Sequence, residues 1–171
     1  MRIKKTVVSA RRLAIIDNLI GEELNSRMAR IVPQLPFTKT QYSNNATEIR
    51  RWSYNFSDNL STDIQVKSDV NFKEVEQCEG LLSDLITTSA SNLFQRKLFC
   101  KSVYANYADI QTHHTQHVDF GYDFSAIYYP VTSWKAEDGG ETVFIDSNDE
   151  VAFSVLPKPG RVIFLRVSFL I

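Results

Sequence analysis

Apolar residues recur along the chain with two different periods, and the change falls near residue 97. Within residues 21–32, Leu24, Met28 and Ile31 fall at i, i+4 and i+7, one face of a helix. Pro33 lacks the amide donor that a further turn needs, so the segment stops there. Residues 72–94 repeat the pattern with Phe72, Val75, Leu82, Leu85 and Ile86, which predicts a longer helix interrupted near Gly80. Both stripes read as core-packing faces rather than ligand contacts. After residue 97 the apolar runs shorten and fill with β-branched and aromatic residues. Strands are predicted over 98–107, 116–119, 124–129, 141–146, 150–156 and from 161 onwards. Asp138-Gly139-Gly140, Ser147-Asn148-Asp149 and Pro157-Lys158-Pro159-Gly160 supply turns between them. Short strands parted by turns predict an antiparallel sandwich or jelly roll braced by the earlier helices. The expected organisation is one domain over 1–171, with helical support and first strands in 1–97 and the strand-rich core in 98–171.

Composition narrows the class. The 171 residues are 43% hydrophobic and 23% charged, the balance of a folded chain rather than a disordered one. Lys and Arg number 19 against 20 Asp and Glu, which removes the basic excess that phosphate neutralisation requires, so no nucleic-acid partner is expected. No apolar run reaches the roughly 18 residues of a membrane span. The first 16 residues hold no acidic residue and match the charge pattern of a weak organelle-targeting signal, but Arg11 and Arg12 interrupt any signal-peptide core. Cys78 and Cys100 have no zinc-binding spacing and are expected to be buried free thiols of a reducing compartment. An intracellular, cytoplasmic protein is expected. The Asn-x-Ser/Thr matches at Asn45, Asn55 and Asn59 would matter only in a secretory compartment.

Candidate chemistry sits in the second half. All three histidines, His113, His114 and His117, lie within five residues, and Asp119 follows the last by two. On a strand, i and i+2 project from one face, so the His117 imidazole and the Asp119 carboxylate can meet one ion. Mixed imidazole and carboxylate ligands suit ferrous iron, whose facial triad of two His and one carboxylate leaves three positions open. A solvated loop is the plain alternative for this polar stretch.

The ordered context extends the pattern. Tyr107 precedes His117 by ten residues, and Tyr129 follows Asp119 by ten within Ala126-Ile127-Tyr128-Tyr129. Trp134 comes next, then Asp138-Gly139-Gly140-Glu141-Thr142-Val143-Phe144, then Pro157-Lys158-Pro159-Gly160-Arg161-Val162-Ile163-Phe164. Over residues 98–165 this series resembles the iron(II)/2-oxoglutarate-dependent oxygenases of the prolyl hydroxylase type, including oxygen-sensing members and relatives encoded by viruses and phages. The resemblance implies a double-stranded β-helix, that is, a jelly roll of eight core strands with iron at its open end. It implies His117 and Asp119 as metal ligands and Tyr107 and Tyr129 as 2-oxoglutarate-binding residues, with core packing the alternative for both tyrosines. Gly139 and Gly140 match the turn that opens the fourth core strand, Trp134 and Phe144 match packing positions, and His113 and His114 match no ligand. The implied activity is a dioxygenase that hydroxylates an amino-acid side chain, with peptidyl proline the leading substrate. Its cofactors would be Fe(II), 2-oxoglutarate and ascorbate, and its co-products succinate and CO2. A peptide or protein partner is expected, with a small molecule as the alternative.

The sequence departs from that family at its far end. No His follows His117, so the family's second imidazole ligand, and the basic residue that holds the distal carboxylate of 2-oxoglutarate, are not found among residues 118–171. By family spacing that His would fall just past Ile171, which is the pattern of a core whose last two strands are missing. Arg161 and Arg166 are the nearby cations; Arg161 occupies a position where the family carries a structural basic residue. Losing second-shell partners already lowers metal affinity about 10–100-fold, and losing a ligand costs at least as much. A sheet edge left bare near Val162–Phe164 and 169–171 is a further expectation. The alternative function is therefore a non-catalytic or truncated member of the family acting as a binding module. A plain β-sandwich interaction protein, or a cupin-like barrel with another metal, is a third reading; it predicts that Asp119→Ala leaves metal binding unchanged.

Overall fold

The computed structural model describes residues 2–8, 11–44, 47–56, 70–107, 121–146 and 148–166. These form a mixed helix and sheet structure in which every strand pairing is antiparallel. The chain divides into two compact units, one built from Met1–Ala29 with Gln116–Ile171 and the other from Arg30–Thr115. No described helix is long and apolar enough to cross a membrane.

The first unit holds a four-stranded sheet and a hairpin. Strands β1 (Arg2–Val8) and β2 (Arg11–Asp17) pair with each other, and the sheet continues to β9 (Val162–Arg166) and then β6 (Phe124–Tyr128). The hairpin joins β7 (Thr142–Ile145) to β8 (Val151–Val155). Leu13 and Ile15 of β2, Ile163 and Leu165 of β9, Phe144 of β7 and Val155 of β8 form one buried cluster, with Ile127, Tyr129 and Phe153 packed on it. Residues from both sheets thus interdigitate across a shared interior, the arrangement of a sandwich.

One expectation about this unit is corrected. The Leu13–Ile16 run of the basic N-terminal stretch is buried, because it supplies the strand that β9 needs on one side. Val162–Phe164 is therefore not a bare edge. Strand β9 pairs with β2 through Ile16↔Val162 to Leu13↔Leu165 and with β6 through Tyr128↔Val162 to Phe124↔Arg166. Residues 162–165 are at most 1% exposed, as expected of a central strand covered on both faces. Residues 169–171 lie outside the described residues.

Helix α1 (Glu22–Ile31) follows the expected limits, with Glu22 and Glu23 at its positive end and Arg30 in its last turn. Pro33 admits only the short 3-10 turn Val32–Gln34 beyond it. Asn25 occupies a buried position on this helix and is 4% exposed.

The second unit contains strands β3 (Thr38–Asn44), β4 (Thr47–Asn55) and β5 (Tyr104–Tyr107), in that order in one sheet, and helix α2 (Phe72–Phe94). Helix α2 runs unbroken through Gly80. A glycine in a helix costs only about 1 kcal/mol, which a helix with a packed face absorbs. Its buried positions are Val75, Cys78, Leu82 and Ala90, while Phe72 is exposed. The Asn71 side chain caps its start by accepting from the Glu74 amide, and Gln95 ends it in the left-handed conformation. Cys78 is buried as expected, whereas Cys100 is exposed. The strand expected over 98–107 is confined to β5, because the Leu98 amide is taken by the Ser91 hydroxyl and pairing with β4 begins only near Val103.

Candidate functional site

The expected ligands His117 and Asp119, together with His113, His114 and the strand over 116–119, lie outside the described residues. The described groups that bear on the site are those around Tyr129 and Tyr107.

Tyr129 extends strand β6 by one residue, and Pro130, which lacks an amide donor, follows it. Successive strand residues face opposite ways. Ile127 and Tyr129 therefore point toward the interior between the two sheets, while Tyr128 points to the other side. The Tyr129 hydroxyl lies 2.5 Å from the Thr142 hydroxyl at the start of β7. One hydrogen is used within that pair, so the two hydroxyls together keep one hydrogen to donate elsewhere. Burial raises the phenol above its ordinary range, and the Thr142 hydrogen bond and the Arg161 charge draw it part of the way back. The phenol is accordingly protonated, and a donor, at neutral pH.

Register explains why Arg161 is close by. Val162 pairs with Ile16 on one side and Tyr128 on the other, so one step further along the ladder Asp17, Arg161 and Tyr129 fall in one row. The row two residues inward is Ile15, Ile163 and Ile127, on the same face and part of the apolar cluster. A polar row thus caps an apolar interior. Arg161 donates from Nε to Asp17 Oδ1 at 2.6 Å and from Nη1 to the Leu156 carbonyl at 2.9 Å. The Arg161 side chain is 12% exposed and that of Asp17 29%. Arg161 is therefore tied down by two hydrogen bonds, and its charge also bears on the phenol.

On the outer face, Asn25 joins three elements. Its Oδ1 accepts from the Tyr128 hydroxyl at 2.7 Å and from the Gly160 amide at 3.1 Å, and its Nδ2 donates to the Val131 carbonyl at 2.9 Å. Two of these bonds flank Tyr129 in the chain. Burial also pushes the Tyr128 phenol well above its usual range. A polar residue on the apolar face of a predicted helix was the signal that could have singled out Asn25. Thr142 had no such signal, since its contact depends on two strands meeting.

The turn into β7 has the expected geometry. Gly139 and Gly140 both have positive φ, +66° and +73°. The Trp134 indole donates to the Gly139 carbonyl at 2.8 Å, and a Cβ on Gly140 would lie 3.2 Å from the indole ring, so this tryptophan packs on and fastens the turn. Phe144, two residues beyond Thr142, is fully buried core.

Tyr107 belongs to the second unit. It closes β5, is 52% exposed, and its ring lies against Phe37 at a centroid distance of 6.0 Å. No protein-family model matches this chain, and no curated protein is significantly similar to it.

Proposed function

We propose that this chain is an iron(II)- and 2-oxoglutarate-dependent dioxygenase of the prolyl hydroxylase type, hydroxylating an amino-acid side chain in a peptide, with peptidyl proline the leading substrate. The observation that carries the reading is the Tyr129 and Thr142 hydroxyl pair at the end of a sandwich interior, ten residues beyond the His117-x-Asp119 motif. Topology supports the same reading. The chain leaves one sheet after β6, forms the β7–β8 hairpin in another, and returns as β9 antiparallel to β6. That path is compatible with one half of a jelly roll, the fold proposed here.

His117 and Asp119 would hold the metal, and the Tyr129 and Thr142 hydroxyls are neutral donors suited to a carboxylate of the oxoacid. Iron(II) with 2-oxoglutarate and dioxygen supplies the oxidative chemistry, with succinate and CO2 as co-products and ascorbate keeping the metal reduced. The chain's own part is positional. A buried phenol that stays protonated orients a carboxylate, and the cluster of Leu13, Ile15, Ile163 and Phe144 keeps water from one side of it.

A second reading, a binding module of the same fold without turnover, is favoured by one observation: no imidazole follows His117 in the sequence. Anaerobic equilibrium dialysis separates the two. One iron(II) per chain, lost in His117→Ala and in Asp119→Ala, together with oxygen-dependent succinate release from 2-oxoglutarate, is expected of the enzyme. Absence of specific iron binding would refute it.

A further inference from the structure

We propose that the loop between α2 and β5, residues 95–103, docks on an anionic lipid surface, with Phe99 entering the headgroup layer and Arg96, Lys97 and Lys101 meeting the lipid phosphates. The inference is independent of the function proposed above. Phe99 is 77% exposed, the most exposed large apolar side chain among the described residues. Arg96, Lys97 and Lys101 around it are exposed as well, and residues 85–108 hold no Asp or Glu. Single apolar groups on a surface are common, but an aromatic ring set among cations is the composition of an interfacial anchor.

Main-chain bonds hold the ring out. The Arg96 amide donates to the Ser91 carbonyl and the Leu98 amide to the Ser91 hydroxyl, both at 3.1 Å, so the loop is fastened to the end of α2 just before Phe99. Beyond Phe99, the Val103 carbonyl accepts from the Phe56 amide at 3.0 Å. Leu98 is half-buried on the protein side. The Lys97 ammonium lies 5.1 Å from the Phe99 ring centroid, so cation and ring act together. In a headgroup layer the ring can reach the acyl boundary while the ammonium stays level with the phosphates, the division that long cationic side chains make.

Shape and charge both favour lipid over a protein partner. A ring that stands out from the surface needs a host that yields around it, whereas a bound peptide needs a groove or a strand edge. Two carboxylates on α2 act on the loop: partial burial, and then the charges of Glu79 and Asp84, push the Cys100 thiol up. Against three cations these two acids leave a positive excess, which an anionic leaflet attracts.

Sedimentation of the full chain with vesicles tests this, using phosphatidylcholine alone and phosphatidylcholine mixed with phosphatidylserine. The unaltered chain is expected to co-sediment with the mixed vesicles and not with the neutral ones, and to be released by added salt. Phe99→Ser should lower the affinity about tenfold or more. Lys97→Gln and Lys101→Gln should each lower it about fivefold. All three positions are exposed, so Tm should stay unchanged in these variants. In Phe99→Trp, the added indole emission should shift to the blue on mixed vesicles and be quenched by lipids brominated in the acyl chains, which a purely electrostatic contact would not produce. Failure of the unaltered chain to co-sediment overturns the inference. So does undiminished binding by Phe99→Ser, which would place the attachment elsewhere, as on the basic residues of 2–12. Phe99-dependent capture of a glutamate-rich peptide without vesicle binding would assign the loop to a protein partner and equally overturn it.

Discussion

At the scale of single residues, Asn25 is the clearest case of a polar side chain placed by its partners. Buried amides persist where their donors and acceptors are matched, and Asn25 satisfies a phenol, an amide and a carbonyl at once. Asn25→Ala would leave the three partner groups without their bonds, and we expect a loss of roughly 3 kcal/mol in unfolding free energy, read from urea denaturation. Tyr128, one of those partners, gives a pH dependence of known sign. Its phenol is raised by burial above the ordinary value of 10.0, so the folded state holds the proton more tightly than the unfolded one. The associated stability is fully present below about pH 10 and is lost as pH rises through the folded value. Urea midpoints measured on either side of that pH should fall in the unaltered chain, and fall less steeply in Tyr128→Phe. Little of this was legible beforehand: Tyr128 and Tyr129 stood out as a pair, but only strand alternation within a known sheet assigns one to the helix side and the other to the interior. Arg161 was visible as a cation at a strand start, whereas its neighbours come from a register between segments far apart in sequence.

At the scale of elements, local pattern and outcome agree where packing follows the chain's own period. Helix α1 stops where Pro33 requires, and strands β6, β7, β8 and β9 fall within the runs of β-branched and aromatic residues that predicted them. Strands β3 and β4 were invisible because Thr38–Asn44 and Thr47–Asn55 are mostly polar and carry no apolar alternation; their pairing is a property of two backbones meeting. Strand β2 was hidden by its arginines. Connections are as constrained as the strands they join. Gly160, at φ +65°, gives its carbonyl to the amides of Leu19 and Ile20 and its amide to Asn25, and a Cβ there would run into the Ile20 carbonyl oxygen. Gly160→Ala combines an unfavourable backbone region with a collision against main chain, and we expect at least about 2 kcal/mol of destabilisation, seen as a lower Tm. A Tm within a degree of the unaltered chain would mean that the loop yields more freely than its hydrogen bonds imply.

At the scale of the whole molecule, the first unit is assembled from both ends of the described chain and the second from its uninterrupted middle. The core of the first unit depends on this, because β9 has β2 as one neighbour and contributes Val162–Leu165 to the interior. Removal of residues 1–17 would strip β9 of that neighbour and expose the edge that the sequence alone had suggested was bare. We expect such a shortened chain to aggregate or to lose the cooperative unfolding transition of the full chain, measured by light scattering and thermal melting. Asp17 and Arg161, joined across the central strands, are 144 positions apart. A ribosome therefore delivers one half of this contact long before the other, and the sheet's middle stays open for most of synthesis. Closure of so distant a pair carries a large entropic toll before any packing compensates it, so the sheet should form late and slowly relative to α2, whose contacts are short-range in sequence.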